Sequence, residues 1–308
     1  MKIAVVGAGA MGGMLAAKFV TAGNEVTLID VSEALIKQVN EHGLLVDTKG
    51  QGSAAYRLHV TANPEEIGVQ DAVFFFIKAH HTASAAANAR PLIGPETVIV
   101  SLQNGWGNAD VLSGVYPEGD IAVGVTYHSA TVLELGKVGH TGFGATFVGP
   151  YREGADLASS TRIGALLNEA GIETTVTPQV KTEIWKKLIL NAATLPTSAL
   201  TGLCAGIQGE EGPLLELVDE LTAEAVAVAK SLGYDIDLEE RIERIHTVLR
   251  NAGKGKSSML QDAEAKRKTE VEVVNGAVVR AAAQTGVPVT LNKAMVAMIA
   301  GLERSWRA

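Results

Sequence analysis

Two polar side chains, Lys187 and Asn191, are spaced four residues apart in the segment WKKLILN at residues 185–191. On a helix this spacing places an ammonium and an amide on one face, which Leu195 extends if the helix reaches that far. Such a pair suits the reduction of a ketone, because hydride transfer leaves an alkoxide that needs a proton donor at the carbonyl oxygen. The alternative for Lys187 is a solvated helix lysine, which is what we expect Lys186 to be.

Three glycines near the N-terminus, Gly7, Gly9 and Gly12, follow the spacing Gly-x-Gly-x-x-Gly. An apolar β-branched run precedes them and helix-forming residues follow, which is the strand–turn–helix context of dinucleotide binding. The first glycine permits a tight turn, the second lets the backbone approach a pyrophosphate, and the third lets helix and strand pack closely. The alternatives are glycines that serve only the turn, and a secretory signal peptide over residues 2–17. We expect the cofactor to contact the whole turn, formed by Gly7, Ala8, Gly9, Ala10, Met11 and Gly12.

Asp30 follows the second predicted strand, 18 residues after Gly12. A carboxylate there can accept hydrogen bonds from both ribose hydroxyls of NAD but would repel the 2′-phosphate of NADP. Val31, Ser32 and Glu33 offer no cation to bind that phosphate. We therefore expect NAD(H) to be preferred by roughly 10- to 100-fold, the alternative being that Asp30 only caps a helix.

Five short motifs follow one another along nearly the whole chain: GAGAMG at residues 7–12, IKA at 77–79, LQNG at 102–105, WKKL at 185–188 with Asn191, and SSMLQD at 257–262 followed by TE at 269–270. Together they resemble the ketopantoate reductase (2-dehydropantoate 2-reductase) family. The last block is the most specific, because 3-hydroxyacid and sugar-acid dehydrogenases also place a lysine four residues before an asparagine. The resemblance implies reduction of a 2-keto acid to the (R)-2-hydroxy acid. The family's default reaction converts 2-dehydropantoate to (R)-pantoate for pantothenate biosynthesis, with NADP(H).

The resemblance also implies catalytic roles. Lys187 matches the general acid that protonates the developing alkoxide, and Glu270 matches a glutamate that supports substrate binding and the acid–base step. Without the resemblance, Glu270 would be interpreted as an exposed carboxylate beside Lys266 and Lys268. Asn191 corresponds to an asparagine that contacts the substrate.

Three further residues receive binding roles from the same resemblance. Ser258 is expected to bind the substrate carboxylate. Lys78 matches a residue at the nicotinamide end of the cofactor, and Asn104 matches one that meets both cofactor and substrate. Without the resemblance, Lys78 would be interpreted as a charged residue at the end of a strand, and Asn104 as part of a turn.

Three positions depart from the family pattern. Leu195 and Ala205 stand where the family usually has asparagines that help to hold the polar groups of ketopantoate. A site without partners for a substrate hydroxyl leaves that group unpaired, at a cost of roughly 1–3 kcal/mol. Together with Asp30, these changes resemble the NAD-dependent D-2-hydroxyacid dehydrogenase branch, which acts on branched or aromatic 2-keto acids.

Composition excludes several other classes of protein. The net charge of −8 over 308 residues disfavours binding to nucleic acid or anionic lipid. The single cysteine, Cys204, cannot form an intrachain disulfide, so we expect a soluble, cytoplasmic protein. The adjacent His80 and His81 do not have metal-ligand spacing, and no metal is expected. A non-catalytic NAD-binding sensor is the alternative from another functional class, and a homodimer is left open.

Periodicity predicts an α/β domain with a Rossmann-type, doubly wound sheet at residues 1–178, followed by an all-helical domain at 179–308. The predicted strands are 3–6, 25–29, 72–77, 97–102, 121–126 and 173–176; the predicted helices are 14–20, 34–42, 157–170, 180–193, 214–232, 238–249 and 269–284. Residues 136–148 are predicted to form an antiparallel hairpin on the sheet edge. Residues 252–258 are expected to form a mobile loop.

Overall fold

The computed structural model describes residues 1–306 and consists of two compact units. The first unit contains Met1–Gln103 and Asn108–Val180, and the second contains Asn104–Gly107 and the chain from Lys181 onward. The first unit is mixed α/β and the second is helical, so the predicted fold class is confirmed.

Within residues 1–306, the strands form an eight-stranded sheet and a four-stranded sheet, both in the first unit. They are β1 (Lys2–Val6), β2 (Glu25–Ile29), β3 (Leu44–Thr48), β4 (Gly52–Tyr56), β5 (His59–Thr61), β6 (Ala72–Phe75), β7 (Val98–Ser101), β8 (Asp120–Thr126), β9 (Ser129–Glu134), β10 (Lys137–Gly142), β11 (Thr146–Pro150) and β12 (Thr174–Val176). The larger sheet has the order β12-β11-β8-β7-β6-β1-β2-β5. Its pairs are parallel except for the antiparallel pair of β8 and β11. The carboxyl ends of β1, β2, β6, β7 and β8 therefore share one edge, and the strand order reverses beside β1, where such sheets bind ligands.

Helices cover the first unit's sheets and build the second unit. Those of the first unit are α1 (Ala10–Thr21), α2 (Glu33–His42), α3 (Thr82–Asn88), α4 (Asn108–Val115) and α5 (Ala158–Glu169). Those of the second unit are α6 (Val180–Thr201), α7 (Ala205–Gln208), α8 (Pro213–Ser231), α9 (Leu238–Ala252), α10 (Ser258–Glu264), α11 (Asn275–Thr285) and α12 (Thr290–Ser305). Among the residues described, no helix combines the length and apolarity that crossing a membrane requires.

The predicted hairpin at residues 136–148 is wrong. β10 pairs with β9 and β3 in the smaller sheet, whereas β11 pairs with β8 and β12 in the larger one. The alternation of side chains indicates two strands, but the partner of each strand depends on contacts far away in sequence. The smaller sheet packs on α1, where a Cβ at Gly13 would lie 3.4 Å from a methyl group of Val138.

Helix α6 continues eight residues beyond the predicted end at residue 193, through Pro196. A proline in a helix removes the N–H that would bond the carbonyl four residues earlier, which here belongs to Ala192. The Asn275 side chain, fully buried, donates Nδ2–H to that carbonyl oxygen at 2.8 Å and also to Asn292 Oδ1 at 3.0 Å. A buried side chain thus replaces the missing backbone donor. Because α6 continues through Pro196, Leu195 lies on the same helix as Lys187.

The predicted helix at residues 269–284 begins later than expected. A 3₁₀ turn, Val271–Val273, precedes α11, and Glu270 lies just before that turn. Thr269 donates both its backbone N–H and its hydroxyl to Glu303 Oε1, at 2.9 and 2.7 Å, which fixes the backbone next to Glu270.

Candidate active site

The glycine turn connects β1 to α1 with the geometry that its spacing predicts. Gly7 has a φ of +102°, in the region that favours glycine. A Cβ on Gly12 would lie 1.9 Å from the Gly7 carbonyl oxygen, so helix and turn approach too closely for any side chain. A Cβ on Gly9, by contrast, would meet nothing within 4 Å. The space in front of Gly9 is open at the N-terminus of α1, where backbone N–H groups favour an anion.

Asp30 is hydrogen-bonded to the glycine turn. Its Oδ2 accepts the Ala8 N–H at 2.9 Å, and its Oδ1 accepts the Ser32 N–H at 3.0 Å. The cap of α2 is Ser32, whose hydroxyl accepts the Leu35 N–H, so Asp30 is not the helix cap considered as the alternative. Each carboxylate oxygen keeps acceptor capacity beyond one backbone bond, and both ribose hydroxyls of a nucleotide can still be accommodated.

Lys78 lies beyond β6, directly before a 3₁₀ turn at Ala79–His81. Gln103, at the end of β7, donates from Nε2 to the Ile77 carbonyl oxygen at 2.9 Å and to Thr82 Oγ1 at 3.0 Å. Gln103 therefore fastens the loop that carries Lys78 to the neighbouring strand end. The sequence motif LQNG contains this glutamine, but its linking role was not predicted.

Within residues 1–306, no group of three or more His, Cys, Asp or Glu side chains is arranged so that it could hold a metal ion. The imidazole rings of His80 and His81 are 4.2 Å apart, centroid to centroid. Two adjacent histidines do not complete a ligand set for zinc, which takes three or four protein ligands.

Lys187 is half-buried on α6, and its Nζ donates a hydrogen bond to Asn104 Oδ1 at 3.0 Å. Burial lowers the pKa of Lys187 to about 8, and the negative charge of Glu270 opposes part of that fall. An ammonium with this pKa is a stronger acid than a solvated lysine by about 3 kcal/mol, yet it stays largely protonated at neutral pH. The structure therefore places Lys187, Asn104 and Glu270 together and does not support a solvated lysine at position 187.

Lys186 differs from the expectation of a solvated side chain. Its Nζ forms an ion pair with Glu183 Oε1 at 2.8 Å, and its side chain is 28% exposed. Glu183 lies three residues earlier on the same helix, so the pair stabilises the first turns of α6.

The remaining predicted substrate residues lie in different surroundings. Asn191 is buried, one helical turn after Lys187. Ser258 is exposed in the first turn of α10, which is capped by the Ser257 hydroxyl. Leu195 is half-buried and packs against the apolar core of the second unit. Ala205 begins α7 and donates its N–H to the Gly255 carbonyl oxygen at 3.0 Å, so the loop expected to be mobile is bonded to α7.

The segment Asn104–Gly107, which carries Asn104, belongs to the helical unit although its neighbours on both sides belong to the α/β unit. Within that unit, the Trp106 ring contacts Trp185 and the Trp106 N–H donates to the Val273 carbonyl oxygen; neither contact was predicted from the sequence. The signal available in the sequence is a bulky aromatic residue between two glycines, four residues after the predicted strand at 97–102, because such a side chain needs an apolar surface to cover it.

Known proteins match the chain over both units. Residues 3–153 match the sequence pattern described as ketopantoate reductase PanE/ApbA, and residues 179–303 match the pattern of its C-terminal part. A 2-dehydropantoate 2-reductase of Halobacterium salinarum is 31% identical over 300 residues, which is 97% of this chain and 98% of the relative.

Solved structures agree over the full length. A ternary structure of D-mandelate dehydrogenase with NADH and anilino(oxo)acetate has a TM-score of 0.94 at 25% identity, covering 100% of both chains. A PanE/ApbA family ketopantoate reductase from Ralstonia eutropha has a TM-score of 0.89 at 28% identity, again over 100% of both chains. The similarity thus includes the strands around the glycine turn and the helices around Lys187.

Proposed function

Because the chain belongs to the ketopantoate reductase family, we propose that it reduces a 2-keto acid to the (R)-2-hydroxy acid with a nicotinamide cofactor. The observation that carries this proposal is the half-buried Lys187, hydrogen-bonded to Asn104 and influenced by Glu270. These groups can supply a proton at the point where reduction of a carbonyl creates an alkoxide.

The residues of the glycine turn fit a dinucleotide. The open space at Gly9 would admit the pyrophosphate, and Asp30, which accepts the Ala8 N–H, would also accept hydrogen bonds from the adenosine ribose. Lys78 would meet the nicotinamide end. When bound, the reduced cofactor supplies a hydride to the carbonyl carbon of the substrate.

Lys187 has two tasks in the reduction. Its ammonium polarises the substrate carbonyl, and it then transfers a proton to the oxygen as negative charge develops there. Asn104 holds the ammonium in one position through its amide oxygen. Glu270 keeps a compensating charge nearby, which favours the protonated form of Lys187 before the reaction. In the reverse direction the neutral lysine accepts the proton.

The substrate's own carboxylate and tail would be bound by other residues. We assign Ser258 to the carboxylate and Asn191 to the polar groups near the reacting carbon. Leu195 replaces a polar partner for the terminal hydroxyl of ketopantoate with an apolar, half-buried side chain. This favours a branched or aromatic 2-keto acid as the second candidate substrate, with 2-dehydropantoate as the family default.

We expect NADH to be preferred over NADPH because of Asp30. A 2′-phosphate bound beside its carboxylate would add a second negative charge, and the bond from the Ala8 N–H fixes that carboxylate at the glycine turn. We expect the ratio of kcat/KM for NADH to that for NADPH to exceed about 10. A clear preference for NADPH would contradict this assignment without affecting the reaction type.

The deciding experiment measures NADH oxidation with ketopantoate, 2-ketoisovalerate, 2-ketoisocaproate and phenylglyoxylate. Turnover of at least one acid, with (R)-2-hydroxy acid as product, is expected. Faster turnover of ketopantoate assigns the family's default reaction. Equal or faster turnover of the acids that lack a hydroxyl assigns a D-2-hydroxyacid dehydrogenase. Binding of NADH without turnover of any 2-keto acid would support a non-catalytic sensor and overturn the proposal.

A further inference from the structure

Asn104 begins the segment Asn104–Gly107, which carries two glycines with positive φ. The segment lies between β7 and α4, and its dihedral angles include φ values of +85° at Gly105 and +104° at Gly107. Glycines make such a segment easy to bend and costly to order. The hydrogen bond from Lys187 to Asn104 is therefore favoured by a contact that orders the segment.

Trp106 provides that contact through its ring. The indole of Trp106 lies 5.6 Å from that of Trp185 and 6.2 Å from the ring of Tyr234, centroid to centroid. Trp185 and Tyr234 in turn stack on each other at 5.7 Å. Trp185 is fully buried in the core of the helical unit and lies on α6, two residues before Lys187. The Trp106 ring thus packs on the helix that carries the lysine.

The backbone of Trp106 makes a second contact, with the turn that follows Glu270. Its N–H donates to the Val273 carbonyl oxygen at 2.8 Å. Val273 ends the 3₁₀ turn that begins directly after Glu270. A Cβ on Gly105 would lie 2.4 Å from the same carbonyl oxygen, so only glycine permits this approach.

We propose that Trp106 is a positioning residue for the acid–base group, Lys187. By joining α6 to the turn after Glu270, it holds the Asn104 amide against the Lys187 ammonium. This inference rests on the proposed function, because it assigns Trp106 a task in the same proton transfer. It predicts that Trp106 acts on catalysis through Asn104 and not by an independent route.

A double-mutant cycle tests that dependence, with kcat and the pH profile of kcat/KM as measurements. Asn104→Ala removes a hydrogen-bond acceptor from the charged Lys187, which lowers the pKa of that lysine. The alkaline limb of the kcat/KM profile should therefore move to lower pH by about half a unit to one unit. Trp106→Ala should move the limb in the same direction and lower kcat by roughly tenfold or more, with the KM for NADH nearly unchanged. In the Asn104→Ala background, Trp106→Ala should add a loss of no more than about twofold.

Trp306→Ala is the matched control, since Trp306 is the residue directly after α12 and is not one of the three rings in these contacts. It should leave kcat and the alkaline limb at their wild-type values. If Trp106→Ala fails to fold, Trp106→Phe, which keeps an aromatic ring, is measured in both backgrounds. It should show a smaller loss, with the same lack of additivity.

Two results would overturn the proposal: losses that multiply in the double variant, or an alkaline limb that Asn104→Ala moves and Trp106→Ala does not. Failure of the proposed function is distinguishable from both. If Lys187→Ala retains turnover, the acid–base assignment itself is wrong. If Lys187→Ala is inactive while the cycle is additive, the assignment of Lys187 stands and only the role of Trp106 is lost.

Discussion

The glycine turn and the Lys187 cluster, formed by Lys187, Asn104 and Glu270, are assembled over very different distances along the chain. The turn needs residues 7–12 and one carboxylate, Asp30, whose bond to Ala8 spans 22 positions. The Lys187 cluster needs Asn104, 83 positions away. A short, local arrangement leaves a recognisable spacing in the sequence, whereas a site built from distant segments leaves only isolated residues.

Removal of the Lys187 ammonium, the proposed proton donor, should have the largest effect on turnover. Lys187→Ala should lower turnover of the 2-keto acid by about two orders of magnitude or more, because no proton donor remains at the alkoxide. The affinity for NADH, measured by fluorescence titration, should be nearly unchanged. Lys186→Ala is the control, since it removes the adjacent lysine and only its helix ion pair with Glu183. Comparable losses in the two variants would contradict a specific role for Lys187.

Within the glycine turn, two alanine substitutions should impair different properties, one the affinity for NADH and the other the stability of the fold. Gly9→Ala adds a methyl group in open space, so the melting temperature should stay close to wild type. NADH affinity should nevertheless fall by roughly tenfold, because the methyl occupies the pyrophosphate's approach. Gly12→Ala places its Cβ 1.9 Å from the Gly7 carbonyl oxygen and should lower the melting temperature instead. Calorimetry and NADH titration of both variants decide this; an unstable Gly9→Ala protein would contradict it.

The pH profile compares the two directions of the reaction. The pKa of Lys187 is lowered to about 8, so kcat/KM for reduction should be level below pH 8 and fall about tenfold per pH unit above it. Oxidation of the hydroxy acid needs the neutral lysine and should rise up to the same pH. If kcat/KM for both reduction and oxidation instead changed near pH 10, Lys187 would be a solvated lysine.

A buried pair of histidines in the α/β unit should produce the smallest effect. His128 Nδ1 lies 2.9 Å from His140 Nε2, and burial, with the charges of His140 and Lys18, lowers the pKa of His128 to about 4. The native state therefore binds its proton less readily than the unfolded state, so stability is complete above pH ~6.5 and is lost as pH falls towards 4. At pH 5 this costs about 2 kcal/mol of unfolding free energy.

Urea unfolding at pH 7.5 and pH 5.0 measures that loss. His128→Asn should reduce the difference between the two pH values, whereas His42→Gln, at an exposed side chain, should leave it unchanged. An equal difference in both variants and wild type would assign the acid sensitivity to other groups.

The sequence predicted the nucleotide half best where the contacts are local. The strand–turn–helix around Gly7 and the strand at Glu25–Ile29 follow from short-range spacing and agree with the structure. The fold class and the family resemblance are confirmed as well. The partners of β10 and β11 were not predictable, because pairing of strands depends on distant residues.

For the candidate site, residue types could be predicted but not their environment. The pair Lys187 and Asn191 was recognisable from its spacing, whereas the burial that lowers the pKa of Lys187 depends on the whole helical unit. The role of Trp106 depends on Trp185 and on the Val273 carbonyl, which no local pattern connects. The same holds for Asn275, which compensates for Pro196 from 79 residues further along the chain.

The position of Asn104–Gly107 in the helical unit also has a consequence for the order of folding during synthesis. Lys187 is made 83 residues after Asn104, an interval of about 4–17 s at typical ribosomal rates. The Val273 carbonyl that accepts the Trp106 N–H is made later still. Until then the ring partners of Trp106 in the helical unit, Trp185 and Tyr234, are not all present. The contacts that fix the segment therefore form only after most of the helical unit has been synthesised.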